Sequence, residues 1–293
     1  MKNFLGLISI ALLLFACGSD SNKNAEAGKD VIKEKQLNIS ILLDLSNRIN
    51  PEINPSAKER DIANIKTITE YFTENMQRLN AYNAKGKIRL FLIPPPANAD
   101  INSIVSKLNI DCSKMDNSGR KEIYDNLTSL YSEQMEKIYN ETIQTSEWPG
   151  SDIWRFFNND VKDYCIDSDS SYRNLLIILT DGYLFYEHSQ YNSGNRYSYL
   201  LNKNLSQYRN QNWRRLVEER DFGIISERED LNDLEVMVLE IKAENPANSF
   251  DEDILTYVWK KWLGEMNVKH YEVYHSDLPA NTKTRINKFL KSL

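Results

Sequence analysis

The chain has 293 residues, 41% hydrophobic and 27% charged, which is enough apolar side chain for a sizeable core and too much for a disordered chain. With 36 Lys+Arg against 42 Asp+Glu the net charge is −6, so no strong general attraction to nucleic acid or to an anionic membrane surface is expected. Cys17, Cys112 and Cys165 show no CxxC spacing and His188, His270 and His275 no HExxH pattern; a zinc site is unsupported, and any metal would be oxygen-bound.

At the N-terminus Lys2 precedes an apolar run from Phe4 to Ala16, too short for a membrane-spanning helix and read as a signal peptide. Leu14-Phe15-Ala16-Cys17 resembles a bacterial lipobox. That resemblance implies cleavage before Cys17, lipidation of Cys17, and a lipid-anchored protein on the periplasmic or cell-surface face of the bacterial envelope. Residues 17–35, with Val31 and Ile32 as the sizeable apolar side chains after the cysteine, read as a flexible tether. Export leaves two readings open for Cys112 and Cys165: a disulfide, or two separately buried thiols.

From Gln36 onward short apolar runs alternate with helical patterns, the signature of βα units around a mainly parallel sheet. The expected strands are 37–44, 87–93, 174–181, 234–241 and 270–275. Between the first two, Ser56-Ala57-Lys58-Glu59 has the form of a capping box, followed by Ile62, Ile65, Ile68, Phe72, Met76 and Leu79 at helical spacing. Asp251 is expected to cap a helix bearing Ile254, Val258, Trp262 and Met266. Asp277 with Pro279 opens another that bears Ile286, Phe289 and Leu290. The strands around Ile39–Leu43 and Leu175–Leu179 are nearly continuous aliphatics, as suits strands buried on both faces.

Two stretches exceed simple βα units and read as insertions within a domain spanning 36–293. The first, 97–149, holds a short strand at Leu108–Cys112 and an amphipathic helix with Ile123, Leu127, Tyr131, Met135 and Ile138 on one face. The second, 182–233, is rich in tyrosine. Between Tyr183 and Arg215 it carries Arg196, Lys203, Arg209, Arg214 and Arg215 against Glu187 alone. Aromatic and arginine side chains together suit a recognition surface, so Tyr183, Tyr186, Tyr191, Arg196 and Tyr197 are the candidate partner-binding residues. An added helix built on Tyr199, Leu200, Leu205 and Tyr208 is the competing reading.

Open parallel sheets bind ligands at the carboxyl ends of their strands, and two expected strands end in Asp44 and Asp181. Asp44-Leu45-Ser46-Asn47-Arg48 and Thr180-Asp181-Gly182, with Gly150-Ser151-Asp152-Ile153 opening a helix between them, resemble the metal-ion-dependent adhesion site of the von Willebrand factor A family. The resemblance covers residues 36–293. It implies a doubly wound α/β domain, a binding function toward a protein or glycan, and Asp44, Ser46, Ser151 and Asp181 as ligands of a Mg2+-type cation if one binds.

The motif departs from the family at position 48. Arginine has no acceptor and stays protonated, so Arg48 cannot ligate a cation. A guanidinium fork between Asp44 and Asp181 is expected to take the metal's place, leaving a degenerate, metal-free site with no cofactor. No nucleophile elbow, phosphate loop or dinucleotide fingerprint is present, so no catalytic residue is assigned. The alternative reading is a metal-assisted envelope hydrolase using Asp44 and Asp181, with Glu240 set aside as a surface or edge-strand residue.

Overall fold

The computed structural model describes residues 34–145, 148 and 150–292. The lipobox-like segment ending at Cys17 and the tether as far as residue 33 lie outside them. The first half runs β1 (Gln36–Leu43), α1 (Ala57–Arg78), β2 (Lys87–Phe91), α2 (Ala99–Lys107), β3 (Ile110–Asp111) and α3 (Asn117–Thr145). There follow α4 (Ile153–Arg155), a π-helical turn at Phe156–Asp160, α5 (Val161–Cys165) and β4 (Tyr172–Leu179). The second insertion holds β5 (Asn192–Ser193), β6 (Arg196–Tyr197), α6 (Asn202–Leu205), α7 (Trp213–Glu219) and β7 (Gly223–Ile224). The chain then closes with β8 (Leu234–Ile241), α8 (Asp251–Glu265), β9 (His270–His275) and α9 (Pro279–Leu290).

Among the described residues the main sheet has six strands in the order β3-β2-β1-β4-β8-β9, all parallel except β3, which pairs antiparallel with β2. The order reverses between β1 and β4, which pair in register from Gln36↔Tyr172 to Leu43↔Leu179. The carboxyl ends of these two strands are thus the topological switch point, where doubly wound sheets place a ligand crevice. The short β5, β6 and β7 form a separate three-stranded sheet.

Strand alternation divides the core into two layers. Leu37, Ile39, Ile41 and Leu43 of β1 and Leu175, Ile177 and Leu179 of β4 face α1, α3 and α9. Leu42, Leu176 and Ile178 face the opposite layer, where Phe156, Phe157, Trp259 and Trp262 pack. The helical stripes seat as their spacing dictates: Ile65, Ile68, Phe72 and Met76 of α1 and Leu127, Tyr131, Met135 and Ile138 of α3 are buried. Cys112 and Cys165 are free, and they lie in opposite layers, so of the two readings the thiols are separate and buried. Burial pushes the Cys112 thiol up to about 11 and the Cys165 thiol up to about 12.

Three local expectations need correction. Ser56 makes no side-chain cap at α1. Asp251 is the first residue of α8 rather than its cap, and its buried carboxylate accepts from the Arg209 Nε at 2.7 Å. Glu240 is neither at the surface nor on an edge: β8 lies between β4 and β9, and Glu240 is 3% exposed.

The Glu240 result has a backbone cause. Val236 and Val238 face the α8 layer, so strict alternation would send Glu240 there too. Instead Glu240 adopts φ +77°, the β8–β9 register shifts between Val238 and Ile241, and Ile241 takes the place in the α8 layer. This left-handed residue in a bulge turns the carboxylate toward α1, where the Arg60 Nε (2.6 Å) and the Asn64 Nδ2 (3.0 Å) donate to it.

Candidate functional site

The loop leaving β1 is folded onto its own aspartate. Asp44 is buried at 1% exposure; its Oδ1 accepts from the Ser46 N–H (2.8 Å) and its Oδ2 from the Thr180 hydroxyl (2.8 Å). The first bond is the short-range aspartate turn that such a motif favours. Thr180, which the sequence shows only as a member of Thr-Asp-Gly, therefore links the ends of β1 and β4. Its Oγ1 also accepts from the Gly182 N–H at 3.2 Å. Gly182 has φ +95°, and a Cβ there would lie 2.7 Å from the Ile241 Cδ1, so both backbone angle and space call for glycine.

Backbone bridges draw the remaining segments to the same place. Leu45 pairs with Gly150, and Ser151 pairs with Phe185, so the loop after β1, the start of α4 and the loop after β4 close around one crevice. Ser151 is 5% exposed and its Oγ has no hydrogen-bond partner among the described residues. Asp152 caps α4 through the Arg155 N–H and also accepts from the Ser189 hydroxyl. Asp181, partly exposed, accepts at Oδ1 from the Tyr183 N–H (3.1 Å). Burial and the neighbouring Asp44 charge push its carboxyl up to about 7, against the opposing pull of Arg48.

Arg48 does not fork between Asp44 and Asp181 as expected. Its Nε donates to the Asp44 backbone carbonyl (2.9 Å) and its Nη2 to Asp61 Oδ2 (2.6 Å), with both side chains of the ion pair essentially inaccessible. The same Asp61 oxygen accepts from the Tyr139 hydroxyl of α3, while Asp61 Oδ1 has no partner. Although burial opposes it, the Asp61 carboxylate holds the guanidinium's affinity for its proton well above the ordinary value. Arg60, Asn64 and Glu240 extend this polar layer, and Asn54 accepts from Arg60 (3.1 Å) and from Lys242 Nζ (2.8 Å). Burial, reinforced by the Asp61 charge, raises the Glu240 carboxyl above its usual range.

Asp61 and Tyr139 are site residues that sequence reasoning passed over, and Glu240 is one that it set aside. One signal was present for Asp61: it stands four residues before Ile65 and so shares the buried stripe of α1.

The donor set falls short of the adhesion site that the resemblance implies. Asp44 has both oxygens engaged, position 48 supplies a cation where a hydroxyl would ligate, and Ser46, Ser151 and Asp181 remain as oxygens for a metal. The residues present do not make up that site, and no step is routed through a metal.

In the second insertion Tyr183 packs against the α8 layer and its hydroxyl accepts from the Glu244 N–H at 3.3 Å. Tyr197 is partly buried between Tyr199 and Phe222, and Tyr186 stands edge-on to His188. Arg196 is bound to Glu265 (2.8 Å) and Asp221 (2.5 Å), and Arg215 to Glu219. With Arg209 held by Asp251, much of the segment's positive charge is neutralised at home. Leu200, Leu205 and Tyr208 are fully buried. Tyr191, at 54% exposure, is the candidate most open to a partner; Phe185, not among the candidates, is 45% exposed.

No protein-family profile matches the chain, and no curated protein does. Among solved structures, the pilus adhesin SpaC from Lactobacillus rhamnosus GG, in its open conformation, is similar at 10% identity and a TM-score of 0.39. The match covers 88% of this chain and 30% of the adhesin, so the chain spans less than a third of that protein's length. A likeness of that size says nothing of ligand or partner. Among the described residues no helix is long and apolar enough to cross a membrane.

Two outcomes follow from this geometry. Arg48→Met should cost about 3–5 kcal/mol, because it strands a buried carboxylate. Adding Asp61→Asn should bring the total below the sum of the two single losses, as urea unfolding of all four proteins will show. The second concerns Asp181: a folded-state pKa raised from 3.8 to about 7 means that the folded chain holds this proton more tightly than the unfolded one. Its contribution is therefore full below pH 3.8, falls as pH rises to about 7, and is flat above. Asp181→Asn should remove that slope and be the more stable protein at pH 8, by about 1–2 kcal/mol given partial access to water.

Proposed function

We propose that this chain is a lipid-anchored envelope protein whose von Willebrand factor A-like domain binds a protein or glycan partner at the crevice beyond β1 and β4, with a degenerate, metal-free adhesion site and no catalytic role. The observation that supports it most is the convergence of three loops, through the Leu45↔Gly150 and Ser151↔Phe185 bridges, on an Asp181 carboxylate that takes part in no ion pair among the described residues. The reversal of strand order at that point favours a doubly wound relative of the family. Anchoring rests on the lipobox-like sequence around Cys17. Several acyl chains on one residue would suffice, each buried methylene adding about 0.8 kcal/mol.

A binding role suits the site better than hydrolysis. Asp44 is buried, with an N–H and a hydroxyl on its two oxygens, and is poorly placed to act as a base or nucleophile beside Asp181. Exposed Phe185 and Tyr191 on the loop after β4 offer the apolar contact that recognition surfaces use.

The detergent-extracted protein, immobilised and offered fractionated envelope proteins and glycans, tests this reading. A partner should be retained equally with and without chelator. Asp181→Asn should weaken its binding about tenfold or more, a loss of at least about 1.4 kcal/mol, while Asp163→Asn on α5 leaves it unchanged. Equal retention by wild type and Asp181→Asn would refute it.

A further inference from the structure

In a metal-bearing adhesion site the ion presents positive charge to the partner. Here the balance at the crevice is reversed. Arg48 is a cation whose field reaches both carboxylates, and its charge is committed to Asp61 in a closed ion pair. Asp44 and Asp181 take part in no ion pair among the described residues, and Glu244 adds to the negative field at Asp181. A second feature is independent of charge: Ser151, 95% buried on the bridge between the loops after β1 and β4, has an Oγ without a partner. Buried hydroxyls are ordinarily satisfied, and this one, at the meeting point of these loops, is left unpaired by the chain's own described groups. The third is Phe185, paired through its backbone with Ser151 and 45% exposed at the same rim.

We infer that the crevice takes a basic side chain, the ammonium of a lysine or the guanidinium of an arginine, from a partner protein. The polarity is thus opposite to that of a site built on a bound cation. This rests on the binding reading above and names its partner chemistry. The incoming cation meets the Asp181 carboxylate and shares the field of Asp44, while its methylene stem or its charge lies against the Phe185 ring. A protein is preferred to a glycan because Asp181 asks for a charged group and Phe185 for an apolar stem, and a lysine or arginine brings both on one side chain. Arginine and lysine differ in reach and donor geometry, so the test separates them.

The test uses the detergent-extracted full chain at pH 8 and low salt. It is titrated with capped peptides identical except for a central Lys, Arg, Gln or Glu, each with and without millimolar magnesium. The Lys or Arg peptide, or both, should bind and the Gln and Glu peptides should not, with magnesium making no improvement. Affinity should fall about tenfold in Asp181→Asn and about twofold or less in Asp163→Asn, which controls for attraction to the acidic surface as a whole. Phe185→Leu should weaken binding by less than Asp181→Asn does. Equal binding by Asp181→Asn, or preference for the Glu peptide in magnesium, would overturn the inference. Failure here is distinguishable from failure of the binding reading. If a captured envelope partner still needs Asp181 but binds unchanged after its lysines and arginines are blocked, the crevice binds and the inferred chemistry falls. If capture is indifferent to Asp181, the crevice itself is not the binding site.

Discussion

The buried Arg48–Asp61 ion pair organises the end of the sheet. It ties the loop after β1 to α1, and the Tyr139 hydroxyl adds α3 to the same carboxylate. Two charges withdrawn this far from water are costly to bury and are tolerable because each is met at short range: Arg48 by Asp61 and the Asp44 carbonyl, Asp61 by Arg48 and Tyr139. By holding the arginine against α1, the pair fixes the course of residues 44–49 and keeps the guanidinium from bridging the two crevice carboxylates. The electrostatic character of the candidate site follows from that choice of partner.

The Glu240 bulge belongs to the same design. A glutamate at φ +77° is strained, and the strain is sustained by Arg60 and Asn64 of α1, which receive its carboxylate, and by Ile241, which fills the opposite layer in its place. Asn54 then connects Arg60 to Lys242 at the start of the loop that follows β8. Loops from β1 and β8 are thus cross-linked through α1, while loops from β1, β4 and the start of α4 are joined by backbone bridges and Thr180. The ends of β1 and β4 are thus tied to the polar layer through Arg48 and to the tyrosine-rich insertion through the Ser151↔Phe185 bridge.

Much of this was legible in the sequence where it depends on local periodicity. Leu234–Ile241 and His270–His275 coincide with the expected ranges; the ends of β1, β2 and β4 differ by one or two residues, with Asp44 and Asp181 lying just beyond the last paired residues of their strands. The helical stripes of α1, α3, α8 and α9 were readable for the same reason. What could not be read were pairings between distant residues. Arg48 stands in a motif whose nearest acids in pattern are Asp44 and Asp181, yet its partner is Asp61, a helix residue of a type usually solvated. Glu240 alternates correctly for the wrong face, and only the bulge reverses it. In the insertion the excess of arginine suggested an open basic surface, but Glu265 and Asp251, which neutralise Arg196 and Arg209, come from α8 at the far end of the sequence.

The central proposal is that the crevice keeps an adhesion-site frame without its cation, because both Asp44 oxygens are engaged and position 48 carries an arginine where a hydroxyl would ligate. Titration calorimetry of magnesium into the detergent-extracted protein at neutral pH addresses it most directly. The account predicts no saturable heat beyond dilution at millimolar magnesium; a saturable site with Kd below about 1 mM that disappears in Asp181→Asn would contradict it.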